Sequence, residues 1–377
     1  MRILPLLVAL VPVLALAACA PGEPPSQPPQ SPVTSALARG VNLSTWFVDR
    51  SGYPSHTERF ETDPADLRWI AERGLKHLRV PFDPSNLLGG ETADALGGPG
   101  MDKLRRLVDA ANQAGLAVVL SFQPPPAAKQ RIASDSRARA AAARFWSLLA
   151  AEFADRPVNR IIFEALNEPE IEDAELSRKV VGELADAIRA AAPRHSIVVS
   201  GHRWSSIPEL LAMRPYADRN RIYSFHFYDP HNFTHQGADW GWEMWQKLAG
   251  LPYPSSPAGV NGLLELLPAE THPHLLHYGE QRWNRARLAK ELDRAADWAR
   301  QHRVFLWCSE FGVYKYQVAA EDRQRWLRDV RTLLEERKMG WSHWAYAGGF
   351  GMVSGKPGER ETDAALLNAL GLRGEQQ

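Results

Sequence analysis

The chain has 377 residues, with 44 Lys or Arg against 44 Asp or Glu and a formal net charge of zero. That balance supplies neither a basic field for nucleic acid nor an acidic field for a cationic partner, so neither is expected. With two cysteines in the whole length, the fold must stand without a disulfide framework.

Residues 1–18 read as a lipoprotein signal peptide. Arg2 gives a positive start, an apolar stretch runs from Ile3 to Leu16, and small residues lead to Cys19. The stretch is short for a membrane span and is interrupted by Pro5 and Pro12. Leu16-Ala17-Ala18-Cys19 resembles a bacterial lipobox, in which the cysteine is acylated and becomes the new N-terminus. Ala20, rather than Asp, after that cysteine points by the same resemblance to outer-membrane sorting in a Gram-negative source. The expected protein is thus exported and lipid-anchored; an ordinary secretory signal with an incidental cysteine is the alternative. Residues 19–35 are rich in Pro, Ser and Gln and read as an extended tether. At about 3.1 Å per residue, such a tether reaches about 45 Å.

From residue 36 to 377 the composition is even and reads as one catalytic domain. Strand-like runs alternate with helical patterns. Gly40–Ser44 is the first run, followed by a helix opened at Asp63-Pro64 and closed at Gly74. Lys76–Pro81 is the second, with a helix from Met101 to Ala114 closed by Gly115. Leu116–Leu120 is a continuous apolar run of the kind buried on both faces in a parallel sheet, and a helix follows over about Asp135 to Asp155. The run before Glu168 that opens at Ile161, Ser196–Ser200, Arg221–Phe227, the run Val304–Ser309 before Glu310, and Gly340–Ala345 complete the strands. Helices are expected at Asp173–Ala192, Arg285–His302, Ala319–Lys338 and Glu361–Leu370. Eight strands alternating with helices make a (β/α)8 TIM barrel, and no Gly-rich phosphate turn supports an open doubly wound sheet.

A barrel of this kind carries its active site at the C-terminal ends of the strands. Those positions here are polar or aromatic: Asn42 and Trp46, Arg79, Gln123, Asn167 and Glu168, His202 and Trp204, His226 and Tyr228, Glu310, and Trp344. Glu168 and Glu310 stand out, because a carboxylate past the end of a buried strand is costly unless paired. Hydrolysis of a glycosidic bond is the chemistry that asks for two carboxyl groups around one scissile bond.

Leu166-Asn167-Glu168-Pro169 after the fourth strand, Ser309-Glu310-Phe311-Gly312 at the seventh and Leu78-Arg79-Val80-Pro81 at the second together resemble glycoside hydrolase family 5. Phe225-His226-Phe227-Tyr228 and Trp344 extend the resemblance. It implies a retaining, cellulase-like enzyme, with Glu168 as general acid/base and Glu310 as nucleophile. It further implies that Arg79 and Tyr228 hold the nucleophile ionised, that Asn167 bonds the sugar 2-hydroxyl, and that His226 contacts or supports the site. Trp344 would be the sugar platform, with Gln123, Trp46 and Trp204 as further substrate contacts. The charge of its neighbour should raise the pKa of the acid Glu168. One departure stands at the third strand, where many relatives have histidine and this chain has Gln123.

Between the sixth strand and the next helix lies a long insertion, about Asp229 to Asn284, carrying Trp240, Trp242, Trp245 and Trp283. Its indoles could line a cleft wall or pack a core of their own. Two histidine groups, His226, His231, His235 and His272, His274, His277, lack the spacing of a catalytic metal site, so neither metal nor cofactor is expected. The expected partner is a β-linked oligo- or polysaccharide bound by a monomer. β-1,4-Glucan is the nearest reading; β-mannan, β-1,3-glucan, xyloglucan or a glycolipid remain open. A surface-tethered barrel that binds sugar without cleaving it is the rival class, and retention of both glutamates argues against it.

Overall fold

The computed structural model describes residues 32–44, 63–89 and 95–374. Cys19 and Trp46 lie outside that range, as do the signal and most of the tether. Eight parallel strands close into a barrel in sequence order: β1 Arg39–Asn42, β2 His77–Phe82, β3 Ala117–Phe122, β4 Ile161–Glu164, β5 Ile197–Ser200, β6 Arg221–Phe227, β7 Leu306–Phe311 and β8 Gly340–His343. The expected (β/α)8 architecture is borne out.

The helices are α1 Pro32–Ala36, α2 Pro64–Glu72, α3 Gly98–Gln113, α4 Pro126–Ser134, α5 Ser136–Glu152, α6 Ala174–Ala191 and α7 Ile207–Leu211. The insertion after β6 then forms α8 His231–Thr234, α9 Pro257–Asn261 and α10 His272–Gln281. Helices α11 Arg285–His302, α12 Ala320–Glu336 and α13 Ala364–Ala369 complete the chain. Local chemistry sets many of these boundaries. Asp63 and Asp66 form a reciprocal capping box ahead of α2, and the side chains of Asp173 and Asn284 cap α6 and α11.

Three local expectations change. Residues 32–35, read as part of the tether, belong to α1; Val33 is buried with Leu37 against Val119, Ile162, Val198, Ile222 and Trp307, so α1 plugs the N-terminal end of the barrel. The helix expected over about Asp135 to Asp155 is α5, but an unexpected helix, α4, precedes it, and Asp135 both ends α4 and caps α5 through the backbone N–H of Arg137. Residues Val353–Ser354 and Glu361–Thr362 pair as a small antiparallel ribbon, β9 and β10, where a helix was expected to begin.

Inside the barrel, side chains alternate in and out along each strand. The lowest inward layer is the apolar set just named. Above it Arg79, Glu164, Asn42 and the serines Ser121, Ser200, Ser224, Ser309 and Ser342 are all buried. The outward faces pack on the helices in one continuous core. Cys308 belongs to that core as a buried free thiol.

Candidate active site

Alternation explains most of the site. On β6, Ser224 and His226 point inward, and Tyr228 continues the same period just beyond the strand. On β2, Arg79 points inward between the outward Leu78 and Val80. On β7 strict alternation fails, because Trp307 and Ser309 face inward and Glu310 would face the helices. A register shift corrects this: Phe225 pairs with Cys308 but His226 pairs with Glu310, so Ser309 is an extra residue and Glu310 turns into the barrel. Bulges re-aim side chains in this way beside active sites. Gly312 follows because a β-carbon there would run into the carbonyl oxygen of Trp344.

Arg79 is the hub. It is fully buried and donates from Nε and Nη2 to the two oxygens of Glu164, at 2.6 and 2.9 Å. Nη1 donates to Glu310 Oε1 at 2.5 Å and to Asn42 Oδ1 at 2.9 Å, and Nη2 also reaches Asn167 Oδ1 at 2.6 Å. Burial works against its charge, but Glu164 and Glu310 more than restore it and raise its pKa. Glu310 Oε2 accepts from the Tyr228 hydroxyl at 2.9 Å. Burial and the charge of Glu310 lift the Tyr228 pKa well above its usual value, so Tyr228 stays a donor.

His226 lies between the two carboxylates, with Nδ1 2.9 Å from Glu168 Oε1 and Nε2 3.5 Å from Glu310 Oε1. Burial disfavours its charge, yet Glu310 and Glu168 outweigh burial and raise its pKa. Glu168 moves the other way. Burial would raise its pKa, but the hydrogen bond with His226 and the charges of His226, Lys129 and Arg79 bring it below the ordinary carboxylate value. This is opposite to the raised pKa expected for Glu168; the neighbouring His226 is the group whose pKa is raised. Glu168 sits at a left-handed φ of 41° and Glu170 at 55°, conformations uncommon for residues with a side chain. Lys129 on α4 reaches across to Glu170 at 2.8 Å and is itself buried.

One oxygen of Glu168, one of Glu310 and a ring nitrogen of His226 all lie within 4.8 Å of one another. Oxygens within that bound are closer than the gap of about 6.5–9.5 Å that admits a water between two carboxyl groups, and fall on the side of the about 5–5.5 Å separation used for direct nucleophilic attack. The same three groups form the one set among the described residues close enough to share a cation. Arg79 and Tyr228 already donate to Glu310, so the surroundings are built for anionic oxygens rather than for a metal.

The remaining candidates divide. Trp344 is partly buried against Ala238, Tyr314 and Phe350 at the β8 end. Gln123 is half-buried beyond β3, and its Oε1 is buried with no partner. Trp204 stands 54% exposed in the turn after β5. In the insertion, Trp283 is buried in the main core under Arg287, Trp245 stacks on His231 and His235, and Trp240 meets Tyr314 edge-on. These three serve packing; Trp242, 41% exposed, remains available to a ligand. Glu164 and Lys129 were given no role from sequence. Glu164 had a signal, a lone carboxylate inside the apolar run Ile161-Ile162-Phe163; Lys129, in a polar helix, had none.

The sequence matches the profile described as Cellulase (glycosyl hydrolase family 5) over residues 39–349. It is 26% identical over 337 residues to Endoglucanase 3 of Fibrobacter succinogenes, covering 84% of this chain and 50% of that protein. The chain thus spans half the length of that relative. It is also 26% identical over 314 residues to Endoglucanase C of Acetivibrio thermocellus, covering 81% of this chain and 90% of the other. Among solved structures, endoglucanase Cel5A from the hyperthermophilic Thermotoga maritima superposes with a TM-score of 0.73 at 22% identity, covering 90% of this chain and 98% of that one. The cellulose synthase subunit Z of Clostridioides difficile gives 0.71 at 22%, covering 88% and 99%. With the profile spanning most of its length, the chain belongs to glycosyl hydrolase family 5, the cellulase family.

Proposed function

We propose that this protein is a retaining β-glycanase of endo-β-1,4-glucanase type, working by double displacement through a covalent glycosyl-enzyme. The close approach of Glu168 and Glu310, within 4.8 Å, carries this reading. Glu310, held by Arg79 and Tyr228, attacks the anomeric carbon. Glu168 protonates the departing glycosidic oxygen, then as carboxylate takes a proton from the water that cleaves the glycosyl-enzyme bond. Arg79 occupies the carbonyl oxygen of Asn167, which leaves the amide nitrogen to donate toward the sugar 2-hydroxyl.

The proton on His226 completes the cycle. Substrate binding excludes water, and a drier site favours the neutral pair over the charged one. The proton then passes from Nδ1 to Glu168 Oε1 along their 2.9 Å contact, and the acid is loaded. The substrate assignment draws on similarity to endoglucanases and on Thermotoga maritima Cel5A, solved with cellobiose and with mannotriose. Mannan is therefore the second substrate to test.

Two variants and a substrate screen test this. Glu310→Ala should abolish cleavage of every glycoside, including activated aryl glycosides, and substantial residual turnover would remove it from the nucleophile role. Glu168→Ala should still form the glycosyl-enzyme from substrates with good leaving groups and be partly rescued by azide. Product lengths from β-1,4-glucan, mannan, β-1,3-glucan and xyloglucan should show internal cleavage of the first; inactivity on it would sink the glucanase assignment while leaving the mechanism standing.

A further inference from the structure

The catalytic end of the barrel is rich in carboxylates, while the opposite end is basic. In the seven connections that lead from a helix into β2 through β8, only Asp155 and Asp218 are acidic. Lys76, Arg194, Arg219, Arg303 and Lys338, from five of these turns, are exposed and take part in no ion pair among the described residues. The net charge of the chain is zero, so this is segregation of charge rather than excess. A helix dipole favours cations at helix C-termini and would account for Arg303 and Lys338, which follow α11 and α12. It does not reach Lys76, Arg194 and Arg219, which stand beyond their helices.

A pocket of about 440 Å³ opens on the same end. Its lining combines apolar groups of Val304, Phe305 and Met339 with the cationic side chains of Arg303 and Lys338 and with Arg39, which is paired with the lining carboxylate of Glu335 at 2.9 Å. Thr34 and Ser35 of α1 also line it, so the first described helix, which follows the tether in sequence, lies at this pocket. Cations around an apolar hollow, beside the helix that follows a segment with a lipobox in sequence, complement a phosphate head group backed by hydrocarbon.

We propose that the N-terminal end of the barrel docks on an anionic lipid bilayer, with head-group phosphates at Arg303 and Lys338. The tether then serves to hold the protein at the surface, and the surface sets its orientation. The catalytic mouth, at the other end of the barrel, faces away from the lipid toward incoming polysaccharide. This goes beyond the glycosidase reading and stands without it.

The test uses the full chain carrying Cys19→Ser, so that no acyl anchor contributes. Arg303→Asn and Lys338→Asn are suitable probes, because both positions have left-handed φ, 55° and 56°, which asparagine tolerates. The parent should co-sediment with vesicles of phosphatidylcholine containing one-third phosphatidylglycerol and not with phosphatidylcholine alone. Each substitution should weaken that binding about fivefold, and high salt should abolish it. Turnover of soluble substrate should be unchanged, which reports that the variants are folded. Equal binding to both vesicle types, or a double variant that binds as the parent does, would overturn the proposal. So would release by inorganic phosphate at constant ionic strength, which would mark a discrete anion pocket instead of a bilayer contact.

Discussion

In the proposed cycle, Glu168 and His226 share a single proton across their 2.9 Å contact. Above the raised pKa of His226 that proton is lost, so His226 sets the basic limb of the rate profile. In His226→Gln, Glu168 must hold the proton alone. The basic limb of kcat/KM should then move acidward by roughly two pH units, the gap between ordinary imidazole and carboxylate values. An unmoved limb would dismiss the shared proton. Stability carries the same signature. The raised pKa of His226 stabilises the fold below its unfolded value of about 6.5, an effect lost as pH rises through the folded value. The lowered pKa of Glu168 stabilises it above an unfolded value of about 4.3, an effect lost as pH falls through the folded one. The Tm advantage of the parent over His226→Gln should therefore peak between about pH 4.3 and 6.5. Glu168 and Glu310 were legible in the sequence because each stands where a strand ends. Their protonation was not, since it depends on His226 contacting both from a distant strand.

At the scale of elements, α4 acts as a strap on the turn that presents Glu168. Lys129 pairs with Glu170 across two left-handed residues, and its charge also helps to lower the Glu168 pKa. Removing one partner of a buried pair costs about 3–5 kcal/mol, and the Glu170 side chain keeps 15% exposure, which places Lys129→Met near the lower end. A thermal melt should show that loss, and kcat should fall about tenfold with KM nearly unchanged, as a displaced acid costs rate rather than binding. Adding Glu170→Gln should recover part of the stability; no recovery would show that the pair is not the strap. The motif Leu166-Asn167-Glu168-Pro169 marks this turn in sequence, but the lysine that braces it lies 41 residues before its partner Glu170, a pairing that only folding reveals. The bulge on β7 is a similar case. The strand reads as Val304–Ser309 with Glu310 just past its end, whereas β7 runs over Leu306–Phe311, and which of Ser309 and Glu310 faces inward follows from pairing with β6.

For the whole molecule, the two ends of the barrel differ in charge and in task. If Cys19 is the acyl site, Cys19→Ser should abolish incorporation of labelled palmitate and shift the protein from a detergent-requiring membrane fraction to one released by high salt. Continued labelling would remove the lipobox reading. Release already at low salt would count against the basic docking end, since that contact survives without the acyl chain. The sequence by itself determined the alternation that makes a closed barrel, the family, and the candidate acid and nucleophile, because strand ends and their motifs are local patterns. Only folding set the Arg79–Glu164 core of the site, the inward turn of Glu310, the contact of His226 with both carboxylates, the burial of most insertion indoles and the basic turns at the N-terminal end. Each of these arises from residues far apart in the chain, whose charge and packing acquire an energy only when closure of the barrel brings them together.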